Sequence, residues 1–119
     1  PGEMEDVLYI KKHMKTEPVI APPTSFNEAG ALLHHAEFLI TNDGGINHLA
    51  VSQEVPSISI FGPKSSPIKW CAWHRPIHLY LKDFNFKDFA DNRFNIFPEQ
   101  VYQKVLDILR IIKEHSGKK

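Results

Sequence analysis

The stretch that decides the fold is residues 42–50, which read NDGGINHLA. Residues 37–41, just before it, contain a continuous apolar run of the kind found in strands that are covered on both faces. After the two glycines, apolar residues recur with the helical period until Val55-Pro56, and a second apolar run follows at residues 57–61. The pattern predicts a strand, a tight turn, a helix and another buried strand.

Helices and strands also alternate upstream of this stretch. In residues 3–14 the apolar residues lie mostly three or four apart, which predicts a helix with one buried face. Residues 18–21 form a short apolar run cut off by two prolines, which predicts a buried strand. Ser25 and Glu28 have the spacing of a capping box, so a second helix is expected to begin there.

Downstream, two irregular stretches, residues 62–76 and 83–97, flank one more predicted strand at residues 78–81. Pro98 lies at or just before the first turn of a final helix. The apolar stripe of that helix consists of Val101, Val105, Ile108 and Ile112. Strands that alternate with helices predict a mainly parallel sheet covered on both sides and built from right-handed crossovers. We therefore expect a doubly wound, Rossmann-like α/β fold.

Length, charge and cysteine content narrow the class of protein. The 119 residues favour one domain, large enough to bury a core. Lys plus Arg and Asp plus Glu both number 14, and this balance argues against a nucleic-acid partner. Cys71 is the only cysteine, which excludes an intrachain disulfide and fits a reducing, cytoplasmic setting. The longest apolar runs fall far short of the roughly 20 residues of a membrane helix, so we expect no membrane span.

The Asp-Gly-Gly turn has the features of an anion site. Two glycines at the start of a helix let a ligand approach the backbone, and the first N–H groups of that helix have no partner within it. With the helix dipole, Gly44 and Gly45 would hold a phosphate or diphosphate. His48 would share their face of the helix and can donate to a phosphate oxygen. Because phosphate repels a carboxylate, Asp43 is expected to cap the helix or to accept hydrogen bonds from sugar hydroxyls.

Simpler interpretations of the same residues stay open on spacing alone. Asp43 can be only an N-cap, the glycines only a tight turn and His48 only a surface residue. In the loop that follows the second strand, Lys64, Lys69 and Arg75 can grip phosphate, or all three can be solvated charges. The remaining histidines show no metal-binding spacing, so no metal site is predicted.

Residues 31–63 resemble glycosyltransferase family 9, the lipopolysaccharide heptosyltransferases. The family signature is Asp, a small residue, Gly, two variable residues, His, Leu or Ile, and Ala, with Phe-Gly-Pro further on, and every fixed position is met here. Two positions depart from the usual pattern: Gly44 stands where Ser or Thr is usual, and Lys64 stands where Thr often follows Phe-Gly-Pro. The helix at Pro98 also resembles the family's C-terminal helix, so the similarity covers most of the chain from Thr24 onward.

The resemblance implies a donor-binding role within a larger enzyme. Members of the family have the GT-B architecture, in which two Rossmann-like domains enclose the active site and the C-terminal domain binds the sugar nucleotide. Residues 1–119 are then a single domain, a C-terminal fragment whose first residues read as the interior of a longer gene product. We find no counterpart of the family's carboxylate base, which belongs to the N-terminal domain, or of its phosphate-binding lysine.

The reaction implied by the resemblance is transfer of a heptose-like sugar from an ADP-sugar to a lipopolysaccharide or other glycan acceptor, with inversion and without a cofactor or metal. The acceptor can be lipid-linked, and the enzyme is expected in the cytoplasm, at the inner face of the bacterial inner membrane. The donor contacts would come from Asp43, Gly44, Gly45, His48 and Lys64. The glycines and His48 would stabilise the leaving diphosphate, where charge develops in the transition state. Without the N-terminal domain, the chain alone is not expected to catalyse transfer.

Two other functions fit part of the pattern. UDP-sugar 2-epimerases carry a similar Asp-Ser-Gly-Gly turn before a helix, but they have Glu near the position of His48 and lack Phe-Gly-Pro. The other alternative is a non-catalytic module that binds a nucleotide or another protein, and the missing half of the active site supports it. The preferred nucleotide distinguishes the two enzymes, because ADP indicates a heptosyltransferase and UDP an epimerase.

Overall fold

The described residues form a three-stranded parallel sheet with helices on both faces. The structure is a computed structural model, which describes residues 4–22, 24–42, 45–63, 76–85 and 94–117. The strands lie in the order β1 (Leu39–Asn42), β2 (Ser57–Ile60) and β3 (His78–Leu81), and both neighbouring pairs are parallel. The predicted α/β class and parallel sheet are confirmed.

Of the four helices in the described residues, three pack against one another or on this sheet, and the first packs closely on none of the described elements. The helices are α1 (Met4–His13), α2 (Phe26–His34), α3 (Gly45–Ser52) and α4 (Pro98–Gly117). Helix α3 packs on β1 and β2 and also against α2, whereas α4 packs on β2 and β3. The final helix therefore lies on the core, as its apolar stripe predicts.

The register of the sheet shows which face each helix covers. Leu39 packs against the apolar cluster formed by α2 and α3, and it is the register partner of Ser57. Because side chains alternate along a strand, Ser57 shares the α3 face and Ile58 faces the opposite way. Ile58 and Ile108 of α4 are both fully buried. Two helical layers thus cover the sheet, which confirms the doubly wound arrangement.

Helix α2 begins with the predicted capping box. The Ser25 hydroxyl accepts a hydrogen bond of 3.2 Å from the backbone N–H of Glu28, and the N–H of Ser25 donates to the Glu28 carboxylate at 2.9 Å. The backbone N–H of Ser25, followed by its side chain, holds the pKa of Glu28 below its ordinary value of 4.5. The two residues satisfy each other's N–H groups and fix where the helix starts.

The segment before α4 is tied to the end of β2. A methyl group added at Gly62 would lie 2.7 Å from Cε1 and 2.8 Å from Cδ1 of Phe94, closer than real side chains approach. The Lys82 ammonium donates to the Gly62 carbonyl at 2.7 Å. Gly62 is therefore required by the close approach of an aromatic ring, and this contact fixes residues 94–97 beside the sheet.

Two predictions for the start of the chain are wrong. Helix α1 forms, but it has no buried residue, because no other described element packs closely against it. Residues 18–21 are not a strand of the sheet, and Val19 is 96% exposed. An apolar pattern needs a covering partner to become a buried face, and the described structure supplies none here.

Strand β1 is also less buried than predicted. Its apolar run suggested a strand covered on both faces, but Ile40 is 45% exposed. The reason is that Ile40 points to the α4 face of the sheet, and α4 packs on β2 and β3 but not closely on β1. The prediction holds for β2, whose residues Ser57, Ile58 and Ser59 are all buried.

The two irregular stretches predicted at residues 62–76 and 83–97 are only partly described. The structure does not describe residues 64–75 and 86–93. In the parts that are described, residues 62–63, 76, 83–85 and 94–97 have no helix or strand, as predicted. No helix among the described residues is long and apolar enough to cross a membrane.

Removing the cap hydroxyl tests the start of α2. Ser25→Ala is expected to lower the free energy of unfolding by about 1 kcal/mol, because the Glu28 N–H loses its acceptor.

Because the folded-state pKa of Glu28 is depressed, the stabilisation from its carboxylate is present above the ordinary pKa and is lost as the pH falls through the folded-state value. Denaturant unfolding should therefore show that Glu28→Gln destabilises at neutral pH and less in acid. A pH-independent effect of Glu28→Gln would contradict this interpretation.

The contact between Gly62 and Phe94 makes a second prediction. Gly62→Ala is expected to destabilise the fold by about 1–3 kcal/mol, because the new methyl group overlaps the Phe94 ring. Gly45→Ala is the matched control, since a methyl group there would lie 3.9 Å from its nearest neighbour, Cε2 of Phe26. Denaturant unfolding compares the two variants. Equal stability of both would show that the ring does not constrain Gly62.

Candidate functional site

The two loops that the sequence singles out leave the same edge of the sheet. Asn42 and Ile60, the last residues of β1 and β2, are register partners. Helix α3 begins at Gly45, soon after β1 ends, and β2 leads directly into Phe61 and Gly62. In open α/β sheets, ligands bind outside the carboxyl ends of the strands, so this edge is the candidate site.

Helix α3 presents Gly45 and His48 to solvent. Both residues are exposed, whereas Asn47 and Ala50 are buried against the rest of the fold. His48 comes three positions after Gly45, so the two residues lie one above the other on the same face of the helix. The backbone N–H groups at the start of the helix and the His48 imidazole can therefore reach one anion together.

The other predicted donor contacts cannot be placed in the same way. Asp43, Gly44 and Lys64 lie outside the described residues, as do Lys69 and Arg75. Their roles as cap, backbone cradle and phosphate grip stay predictions. The described part of the site consists of Gly45 and His48 and the residues around them.

Phe26 forms one wall beside the start of α3. Its Cε2 atom would lie 3.9 Å from a methyl group built on Gly45, and the Phe26 side chain is 63% exposed. The start of α2 and the start of α3 therefore lie side by side at the carboxyl edge of the sheet. An exposed aromatic ring at this edge offers an apolar surface for the uncharged part of a ligand.

Asn47 is a polar feature of the site that the sequence pattern did not reveal. Its side chain is 1% exposed, and among the described residues neither its Nδ2 nor its Oδ1 has a hydrogen-bond partner. The Ser59 hydroxyl on β2 is likewise buried without a partner within the structure as described. A buried amide without partners is costly, so an ordered water or a polar ligand group would be held there. The one signal in the sequence is an Asn three residues before Ala50, on the inward face of the helix.

A groove of about 380 Å³ opens at the same edge, on the α4 face of the sheet. It is lined mainly by apolar and aromatic side chains, with one amide at the end of β1. The lining residues are Asn42, Ile60, Phe94, Ile96, Phe97, Pro98 and Val101. The sequence predicted residues 83–97 only as an irregular stretch, because the closeness of these side chains to β1 and β2 depends on the Gly62 contact.

Metal ligands were not predicted, and the described residues contain no group of three or more His, Cys, Asp or Glu that could hold a metal ion. His78 and His13 each have a hydrogen-bond partner. Nδ1 of buried His78 lies 2.9 Å from the Ser57 hydroxyl, and Nδ1 of exposed His13 lies 2.8 Å from the Tyr9 carbonyl. Both histidines therefore have structural roles, and both lie away from the start of α3.

Comparison with models of protein families matches residues 2–95 to glycosyltransferase family 9 (heptosyltransferase). Parallel searches of curated proteins and of solved structures found no match. The matched stretch covers well over half of the chain and includes Gly45, His48 and Gly62. The chain therefore belongs to glycosyltransferase family 9, a family of enzymes that transfer sugar from a nucleotide donor to a glycan acceptor.

Proposed function

We infer that this chain binds the sugar-nucleotide donor of a heptosyltransferase, with the donor diphosphate at the start of α3. The observation that carries this inference is the exposure of Gly45 and His48 on one face of α3, at the carboxyl edge of a parallel sheet. The proposed donor is an ADP-sugar carrying a heptose-like sugar. The proposed acceptor is a lipopolysaccharide or another glycan, which can be lipid-linked.

The chemistry follows from where charge develops during transfer. As the bond between the sugar and the diphosphate breaks, negative charge grows on the leaving diphosphate oxygens. Backbone N–H groups at the start of α3 and the His48 imidazole would stabilise that charge. Donors that are already oriented cost no reorganisation at the moment of reaction, so they favour the transition state over the bound substrate.

Asp43, Gly44 and Lys64 complete the proposed donor contacts. Gly44 would add a second backbone N–H without a side chain in the way, and Lys64 would add a cation on the loop after β2. Asp43 would cap α3 or accept hydrogen bonds from sugar hydroxyls rather than touch phosphate. No metal or cofactor is required for these contacts.

We further propose that the chain is the C-terminal, donor-binding domain of a GT-B enzyme. A facing N-terminal domain would then supply the carboxylate base that activates the acceptor hydroxyl, and transfer would proceed with inversion. The enzyme would work in the cytoplasm, at the inner face of the bacterial inner membrane. On this proposal the chain binds donor nucleotides but does not catalyse transfer on its own.

Calorimetric titration tests the proposed donor class. The chain is expected to bind ADP more tightly than UDP or GDP, because the proposed donor is an ADP-sugar. His48→Ala is expected to weaken ADP binding by roughly tenfold, since it removes a hydrogen bond to a charged group. Gly45→Ala should weaken it as well, because a side chain would stand between the phosphate and the backbone.

His34→Ala is the matched control, because His34 is an exposed histidine on α2 outside the proposed site. Its affinity for ADP should equal that of the unmodified chain. A clear preference for UDP would instead favour an epimerase-like domain. Equal affinity of the His48→Ala and His34→Ala variants would remove His48 from the site.

A further inference from the structure

We propose that Asn47 on α3 and Ser59 on β2 hold one buried water molecule between them, beneath the first turn of α3. The water bridges the helix to the strand and so ties the start of α3 to the carboxyl end of β2. This inference goes beyond the proposed donor role and does not depend on it. It rests on two buried polar side chains and on the fold that brings them together.

Both side chains are buried without hydrogen-bond partners. Asn47 is 1% exposed and Ser59 is 0% exposed. Within the described part of the chain, neither the Nδ2 and Oδ1 atoms of Asn47 nor the Ser59 hydroxyl has a partner. Burial without a hydrogen bond is unfavourable for an amide or a hydroxyl, because the group has lost its bonds to bulk water. Ser57 on the same strand differs, since its hydroxyl lies 2.9 Å from Nδ1 of His78.

The two side chains point into the same interface. Leu39 packs against the cluster that contains Ala50 of α3, and the register partner of Leu39 is Ser57. Side chains alternate along a strand, so Ser59 faces α3 in the same way as Ser57. Helix α3 packs on β2, and its buried residues are Asn47 and Ala50. Asn47 and Ser59 therefore meet between the helix and the sheet.

They also lie at the same distance from the carboxyl edge of the sheet. Helix α3 starts at this edge and runs back toward the amino edge, because it connects two parallel strands. Asn47 is the third residue of the helix, which puts it about 3 Å from the helix start. Ser59 is the last residue but one of β2, about 3 Å from the strand end.

Asn47 lies on the flank of α3 that faces β2. Helix α2 contacts the other flank, because a methyl group built on Gly30 would lie 3.4 Å from Cδ2 of Leu49. Leu33 of α2 and Leu39 of β1 belong to one apolar cluster, so α2 lies on the β1 side of α3. Residues two positions apart in a helix point about 160° apart, so Asn47 points away from α2 and toward β2.

The chemistry of the two side chains suits a water molecule. Both groups are uncharged, whereas a buried ion needs a charged partner. Together they offer three polar atoms, which is within the roughly two to four partners that a buried water takes. Nδ2 of Asn47 donates to the water, and the water donates to Oγ of Ser59. The stability of the fold then depends on the two residues as a pair.

NMR detection of long-lived water in the whole chain tests the proposal. The side-chain amide protons of Asn47 should show Overhauser effects with water that have opposite signs in the laboratory and rotating frames, as a bound water gives. The control is the side-chain amide of Gln103, which is exposed on α4 and should show no such effect. Absence of the effect at Asn47 would overturn the proposal.

A double-mutant cycle tests whether the two residues act as a pair. Asn47→Leu keeps a similar volume but strands the Ser59 hydroxyl, so the unfolding equilibrium should shift toward the unfolded state by at least about tenfold. Ser59→Ala should cost about tenfold less in the Asn47→Leu background than in the unmodified chain, because no hydroxyl is then stranded.

Asn47→Leu combined with Ser52→Ala is the control pair. The Ser52 hydroxyl is exposed and donates to the Leu49 carbonyl at 2.9 Å, so these two effects should add. Additive effects of Asn47→Leu and Ser59→Ala would overturn the proposal. Coupling without the water effect would indicate a direct bond between the two side chains and would also overturn it. If a variant fails to fold, the water effect in the unmodified chain decides.

Discussion

Parallel pairing of β1 with β2 is the constraint on which the rest of the structure depends. Two parallel neighbours require the chain to cross from the carboxyl end of one to the amino end of the other. Here the crossover is α3, and its start is therefore held at the carboxyl edge of the sheet. The first N–H groups of α3, which have no partner within the helix, and the exposed His48 reach that edge because of the topology, before any ligand is considered.

The same constraint explains why the two family motifs meet. Gly45 follows β1 and Gly62 follows β2, so parallel strands bring both to one edge. The two positions are glycine for different physical reasons. Among the described residues, a side chain at Gly45 would meet only Phe26, at van der Waals distance, which leaves the backbone open to a ligand. At Gly62 the Phe94 ring occupies the place of a side chain, so this glycine positions the wall of a neighbouring groove.

Local sequence patterns predicted most helices and strands. Which residues these elements bury against one another was harder to predict. The Ser25 and Glu28 pair fixed the start of α2 because both partners lie three residues apart in the chain. The sequence also predicted that Gly45 and His48 share a face of a helix. Burial of Asn47 and exposure of Ile40 depend on which helix covers which strand, and no local pattern contains that information. The apolar pattern of α1 predicted a buried face in the same way and was wrong, because it indicates only what the helix can cover.

The central claim is that the start of α3 holds a diphosphate, and chemical-shift mapping of the backbone amides tests it most directly. The chain would be titrated separately with ADP, inorganic diphosphate and adenosine. The account predicts that ADP and diphosphate both shift the amides of Gly45 and Ile46, and that adenosine leaves them unchanged. Unshifted Gly45 and Ile46 amides with saturating ADP, or shifts with adenosine alone, would contradict it.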